Sequence, residues 1–179
     1  MLQMTTEEIV YLKKAQQYIN EQYVPDKVSY GSKFALLFDA IPLVDDKDDE
    51  KIFADFFKMK RNNHGLNPFS VAALACFAGD TEQLRKCCRK AHLCTHTFNK
   101  ICEGAFSPSK AAVCSFVFAG GFGEETANRL FSSAGISLCR YNKFDLAILF
   151  FLENRIYDFA VINKILYLLD LPLLGYYFA

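Results

Sequence analysis

The chain has 179 residues, and its 20 lysines and arginines balance its 20 aspartates and glutamates. A net charge of zero excludes the overall basic excess that is typical of nucleic-acid-binding proteins. The hydrophobic fraction of 52% excludes an intrinsically disordered chain. A chain of this length can bury a core without a disulfide or a metal ion, and with 18 phenylalanines and no tryptophan we expect that core to be rich in phenylalanine.

Neither a secretory signal nor a membrane-spanning segment is predicted. Residues 1–8 lack the basic and apolar regions of a signal peptide. The longest uncharged apolar run, 146–152, is far shorter than the ~20 residues of a membrane-spanning helix. Seven cysteines, an odd number, favour reduced thiols over a disulfide framework. We therefore expect a cytoplasmic protein that needs no cofactor.

Helical periodicity dominates the first part of the chain. Thr5 and Glu8 have the spacing of a capping box, and apolar residues then recur every three or four positions until a proline ends the helix. A second helix is predicted over 34–41 and a third over 52–57. An acidic connector, 45–50, lies between these two predicted helices.

Beyond a polar boundary at 60–65, the sequence predicts a series of helix pairs. Asn67-Pro68 is typical of a helix start, with asparagine as the N-cap. Ser107-Pro108 opens a similar small-residue helix about forty residues later, and a third, fainter copy begins near Asn142. One more helix is predicted around 98–102.

No run of residues alternates long enough to demand a strand, so the predicted class is all-α, with about ten helices. An N-terminal helical segment, 1–60, is expected to pack on a region of antiparallel helix pairs, 67–179. The two regions form either separate units or one continuous domain.

The segment from Ser70 to Leu84 resembles the core of an ankyrin repeat. Its first helix is rich in alanine, and a glycine followed by a polar residue precedes the second helix. Small facing residues let two helices pack closely, and glycine permits a left-handed turn. Residues 67–70 are the nearest match to the family's Thr-Pro-Leu-His motif, and the period of about forty residues exceeds the ~33 of the family. Two alternative folds stay possible, another α-repeat and an unrelated helical bundle.

The resemblance implies a non-catalytic scaffold that binds a protein partner through its turn tips and first helices. Here these regions are 64–70, 106–110 and 140–145. Short divergent chains rich in phenylalanine and cysteine are also similar to effectors that intracellular bacteria deliver into host cells. That resemblance implies a location in the host cytosol.

Two charge clusters add a candidate binding surface. Residues 45–50 contain five acids and one base, whereas four bases crowd one face of a predicted helix at 85–90. The simplest interpretation is two solvated faces. The alternative is electrostatic recognition, either between the two clusters or of an acidic partner. The predicted partner-binding residues are Arg85, Lys86, Arg89, Lys90, Asn67, Lys110 and Asn142.

A cysteine-dependent hydrolase or transferase is the main alternative function. It would use Cys94 or Cys139 as the nucleophile, with His92 or His96 as the base. The cysteines and histidines of the segment 87–102 are possible zinc ligands, but they lack the paired spacing of structural zinc sites. We therefore predict no catalytic residue and no metal ligand.

The C-terminal residues 171–179 contain no charged side chain and three aromatic ones. Chain termini are usually polar and frayed. We expect this tail to pack on the last helices as a cap. The alternative is a homo-oligomer that associates through the aromatic tail.

Overall fold

Eight α-helices make up the computed structural model over the residues that it describes, 4–24 and 67–175. They are α1 (Thr6–Gln22), α2 (Pro68–Ala75), α3 (Thr81–Lys90), α4 (Thr95–Cys102), α5 (Lys110–Gly120), α6 (Glu124–Ser133), α7 (Lys143–Glu153) and α8 (Phe159–Leu168). These residues contain no strand, so the predicted all-α class is confirmed for them. None of these eight helices combines the length and the apolar character needed to cross a membrane.

The expected number of about ten helices is not confirmed, because eight are described. The helices predicted over 34–41 and 52–57 lie outside the described residues, as does the acidic connector 45–50. The arrangement of the helix pairs as a repeat of a known family stays a prediction.

Polar side chains begin the helices largely where the sequence predicts them. The Glu8 N–H donates to Thr5 Oγ1 at 3.2 Å, and the Thr5 N–H donates to Glu8 Oε2 at 2.7 Å. This reciprocal pair is the predicted capping box of α1. Asn67 is the N-cap of α2, as expected, and Asn142, near which a third copy is expected to begin, is the N-cap of α7.

One helix begins later than predicted. The sequence favours a start at Ser107-Pro108, but α5 begins at Lys110. Its N-cap is Ser109, whose hydroxyl accepts a hydrogen bond from the Ala112 N–H at 3.2 Å. A second serine close to the proline therefore takes the capping position, three residues before the N–H that it satisfies.

Each of the helices from α2 to α8 ends in the same hydrogen-bonded turn. A residue with a left-handed backbone follows the helix, and the next N–H donates to the carbonyl five residues earlier, as Phe122 does to Val117 around Gly121. This is the Schellman motif, in which glycine is the preferred left-handed residue. The left-handed residues are Ala78, His92, Gly104, Gly121, Gly135, Arg155 and Asp170.

Helix α5 forms the centre of the described core. Its sequence is apolar around the whole circumference, and all residues from 112 to 119 are buried. It packs against α3 and α6. Ring contacts join it to α2 through Phe69 and Phe116 and to α7 through Phe118 and Phe151. A helix that is apolar on every face needs such neighbours on every side.

Phenylalanine fills the space between these helices, as expected from the composition. The Phe116 ring lies 5.7, 6.1 and 5.9 Å from the rings of Phe69, Phe77 and Phe122, measured between centroids. Offset and edge-on arrangements at these distances are the favourable ones for aromatic pairs. The side chain of Phe116 is fully buried.

Helix α1 belongs to the same compact unit as residues 67–175 and packs on α7 and α8. Lys164 Nζ donates to Glu8 Oε1 at 2.7 Å, and the Tyr18 hydroxyl donates to Glu153 at 2.7 Å. The first helix of the N-terminal segment therefore packs on the helix-pair region. The predicted boundary between 1–60 and 67–179 stays a prediction.

The tail packs on the helices as far as it is described. The backbone N–H and C=O of Leu174 both bond to the side-chain amide of Asn163, at 2.8 and 3.0 Å. The Gly175 N–H donates to the hydroxyl of Ser115 on α5 at 3.0 Å. Leu174 itself is fully buried. The aromatic residues 176–178 lie outside the described residues.

Candidate interaction surface

Helix α3 presents cationic side chains to solvent. Its inward residues recur at helical spacing and are buried, among them Leu84 and Cys88. Lys86, Arg89 and Lys90 are exposed on the opposite side, and we call these three residues the α3 cations. Among the described residues, no carboxylate forms an ion pair with any of them.

Arg85, the fourth predicted basic residue, has a different environment. Its Nε lies 3.7 Å from Glu82 Oε2, one turn earlier in the same helix. Its guanidinium carbon lies 4.3 Å from the centre of the Phe98 ring on α4. A cation over an aromatic face is an attractive contact. Arg85 thus helps to pack α3 against α4, and the structure brings together three of the four predicted cations.

Lys110 was predicted from its position at a turn tip, and the structure places its ammonium group in an internal ion pair. Nζ lies 3.0 and 2.8 Å from the two carboxylate oxygens of Asp145 and 3.1 Å from the Ser137 carbonyl oxygen. Asp145 is fully buried and also accepts a hydrogen bond from the Cys139 N–H at 3.0 Å. Lys110 therefore joins α5 to the start of α7.

Asn67 and Asn142, the two predicted asparagines, use their side-chain oxygens to begin helices. Asn67 Oδ1 accepts from the Phe69 N–H at 2.9 Å, and Asn142 Oδ1 accepts from the Phe144 N–H at 2.8 Å. The Asn67 N–H also donates to the Gly104 carbonyl oxygen at 2.6 Å. These contacts give both residues a local structural role.

A surface cleft opens beside the α3 cations, where the C-terminal end of α3 meets the N-terminal end of α8. Two of the α3 cations form part of its wall, and the ring of His92 lies 5.9 Å from that of Phe159. No sequence pattern predicts this cleft, because its two walls are far apart along the chain. Asp158 could have been found as an N-cap, but not as a neighbour of α3. The residues that line the cleft are Arg89, Lys90, His92, Tyr157, Asp158 and Phe159.

Most of the seven thiols are held in the neutral form. Burial raises the pKa of Cys76 to about 11. It raises the pKa values of the three most buried thiols, Cys87, Cys88 and Cys114, to about 12. A thiol with such a pKa is a poor nucleophile at neutral pH, because the thiolate is the reactive form.

The two cysteines proposed as nucleophiles differ from each other. Cys94 is exposed at the N-cap of α4, and its sulfur lies 3.4 Å from the Thr97 hydroxyl oxygen. That hydroxyl and then the Thr97 N–H lower the pKa of Cys94 below its ordinary range. Cys139 is half-buried, and burial raises its pKa. Only Cys94 has the environment of a reactive thiol.

The segment His92–His96 does not gather into a cluster of ligands. His92 is the left-handed residue after α3, Cys94 caps α4, and His96 lies in the first turn of α4. Over the described parts of the chain, no three His, Cys, Asp or Glu side chains are placed to hold one metal ion.

Comparison with known protein families, curated proteins and solved structures finds no match for this chain. The chain is therefore not assigned to a family.

Proposed function

We propose that the chain is a non-catalytic protein-interaction module whose α3 cations bind an acidic surface of a partner protein. The observation that carries the proposal is the exposure of Lys86, Arg89 and Lys90 on one helix face without an ion pair among the described residues. Positive patches of this kind steer negatively charged partners and select them by charge complementarity.

The spacing of the α3 cations supports a role outside the fold. Lys86 lies three and four residues before Arg89 and Lys90, so the three charges repel one another across one helix turn. Such like-charge pairs destabilise a helix by about 0.2–0.5 kcal/mol each. The C-terminal end of α3 favours Arg89 and Lys90 through the helix dipole, and Lys86 interacts at longer range with the Asp80 carboxylate at the start of α3, whose pKa it helps to lower. An acidic partner would relieve the repulsion of all three.

A helical-repeat scaffold of the ankyrin type is part of the proposal. Three pairs of helices, α2–α3, α5–α6 and α7–α8, occur along the chain, with α4 between the first and the second pair. The two helices of each pair pack against each other, which supports the idea of a repeated unit. The seven free thiols support a reducing compartment such as the cytosol, which would be that of a host cell for a bacterial effector.

The proposal is tested by capture from cell lysate with matched charge reversals. Arg89→Glu/Lys90→Glu reverses two adjacent exposed cations on α3. Lys13→Glu/Lys14→Glu makes the same change at two adjacent exposed lysines on α1. We expect the wild type and the α1 variant to retain the same partner, an octaglutamate peptide to elute it, and the α3 variant to lose it.

Circular dichroism and thermal melting check that both variants fold, because each glutamate at the C-terminal end of α3 is expected to cost about 0.3–1 kcal/mol through the helix dipole. The same captured proteins with all three chains would contradict the proposal. So would a partner that octaglutamate fails to elute, because electrostatic contacts at a surface are sensitive to competing charge.

A further inference from the structure

The cleft beside α3 has two chemically different walls. Arg89 and Lys90, at the end of α3, form a cationic wall. Tyr157 and Phe159, around the start of α8, form an aromatic wall together with the ring of His92. The cleft is open to solvent, and it is continuous with the α3 cations because Arg89 and Lys90 belong to both.

Asp158 is the one acidic residue in the lining, and its carboxylate has a local task. Asp158 Oδ1 accepts hydrogen bonds from the N–H groups of Ala160 at 2.8 Å and Val161 at 3.4 Å. A carboxylate at the N-cap is compensated by the positive end of its helix. The two cations on the opposite wall therefore determine which charge the cleft attracts.

The aromatic wall is held in place before anything binds. Tyr157 packs on the buried Phe118 with 6.2 Å between ring centroids, and Phe159 contacts His92. The tail lies close to His92 on another side, since a Cβ added to Gly175 would lie 2.9 Å from His92 Cδ2. Side chains that are already ordered lose little entropy on binding.

We infer, on the basis of the proposed function, that the cleft binds an aromatic side chain of the partner whose neighbouring residues are acidic. The aromatic ring packs against Tyr157 and Phe159, and the flanking carboxylates face Arg89 and Lys90. Aromatic anchors in a pocket beside a charged rim are the usual source of binding energy in protein interfaces.

A single-stranded nucleic acid offers aromatic bases and negative charge as well. The observations favour a peptide, because the chain as a whole has no net charge. Proteins that bind single strands follow several successive phosphates along a basic groove. The α3 cations provide three positive charges on a single helix.

The test uses two fluorescein-labelled peptides, Glu-Asp-Glu-Phe-Glu-Asp-Glu and the same peptide with Ala in place of Phe. Fluorescence anisotropy with the wild-type chain is expected to show at least about fivefold tighter binding of the Phe peptide, which is the effect of one packed aromatic side chain. Because this comparison needs no protein variant, it decides the matter even if a variant fails to fold.

Variants then show which residues of the cleft cause the preference for the Phe peptide. Phe159→Ala is expected to bind both peptides equally and weakly, while Arg89→Glu/Lys90→Glu loses both. Tyr167→Ala, an exposed aromatic residue of the same helix at 60% exposure, is the matched control and should retain the preference for Phe.

Equal affinity of the two peptides for the wild type overturns this inference but leaves the proposed function standing. No binding of either peptide overturns both. Tighter binding of an octathymidylate than of the Phe peptide also overturns the inference, and it identifies the occupant as a nucleic acid.

Discussion

Helices α3 and α5 pack against each other, yet they handle positive charge in opposite ways. In α5 the only charged residue is Lys110, and it pairs with the buried Asp145. In α3 the cations cluster at helical spacing, and three of them reach solvent. The neighbours of a lysine therefore decide its role. A lysine paired with a buried carboxylate is committed to the fold, whereas an exposed lysine without an ion pair is available to a partner.

The comparison gives a rule for reading such sequences. A single cation at the start of a helix that is otherwise apolar indicates an internal ion pair, because its long side chain can reach a buried carboxylate. A group of cations spaced three and four residues apart indicates a solvated face. Lys110 and Lys86 represent the two cases.

The largest effect is expected from the core around α5. Phe116→Ala removes a fully buried ring with three aromatic neighbours. We expect a loss of about 3–5 kcal/mol in the free energy of unfolding, measured by urea denaturation. Tyr167→Ala on α8 is the exposed control and should change stability by less than about 1 kcal/mol. Similar losses for both variants would show that α5 is not the centre of the core.

The contrast between the two lysines can be measured directly. Lys110→Met leaves the Asp145 carboxylate buried without its counter-charge, and we expect a loss of about 3 kcal/mol. Lys86→Met, on the exposed face of α3, should stay within about 0.5 kcal/mol of the wild type. Denaturation midpoints of both variants test this difference. An equal loss of stability for the two variants would contradict the distinction between a lysine paired inside the fold and an exposed one.

The contribution of Glu8 to stability is expected to depend on pH. Like Lys110, Glu8 is committed to the fold, because its carboxylate pairs with Lys164. The hydrogen bond from Lys164 and then that from the Thr5 N–H lower the pKa of Glu8. A lowered folded-state pKa gives stability that is present above the unfolded pKa of about 4.3 and lost as the pH falls through the folded value. Glu8→Gln should therefore melt below the wild type at about pH 7, and the difference should shrink as the pH falls below the unfolded pKa and vanish below the folded one.

Glu21→Gln, at an exposed position of the same helix, is the control for Glu8. Its melting temperature should follow that of the wild type at every pH. A gap between Glu8→Gln and the wild type that stays constant down to about pH 3 would contradict the lowered pKa.

The smallest effect on stability is expected at Cys94. Cys94→Ser changes an exposed side chain and should alter stability by about 0.5 kcal/mol or less. It should nevertheless remove the thiol that reacts fastest with iodoacetamide at neutral pH, while Cys87 on the inner side of α3 reacts only after unfolding. Mass spectrometry of partly labelled protein identifies the site. Preferred labelling of Cys139 would contradict this ranking.

Local features of the fold were predictable, since their determinants lie within one helix turn. The Thr5–Glu8 capping box and the asparagine caps of α2 and α7 follow from residues that are close in sequence. The inward stripe of α3 follows from its helical periodicity in the same way.

Contacts between distant segments could not be predicted in the same way. Lys110 and Asp145 are separated by 35 positions, and their pairing depends on how α5 packs against α7. The cleft likewise exists because α8 begins beside the end of α3. Periodicity identifies the face of each helix that is buried, but not the neighbour that covers it.

The left-handed backbone at His92 has a consequence for directed evolution. Glycine adopts this conformation more readily than histidine does, and the difference is of the order of 1 kcal/mol. A display library randomised at position 92 and selected for protease resistance should therefore enrich glycine. The same library selected for capture of an acidic, aromatic peptide should keep a ring at this position, so two selections would drive one codon in opposite directions.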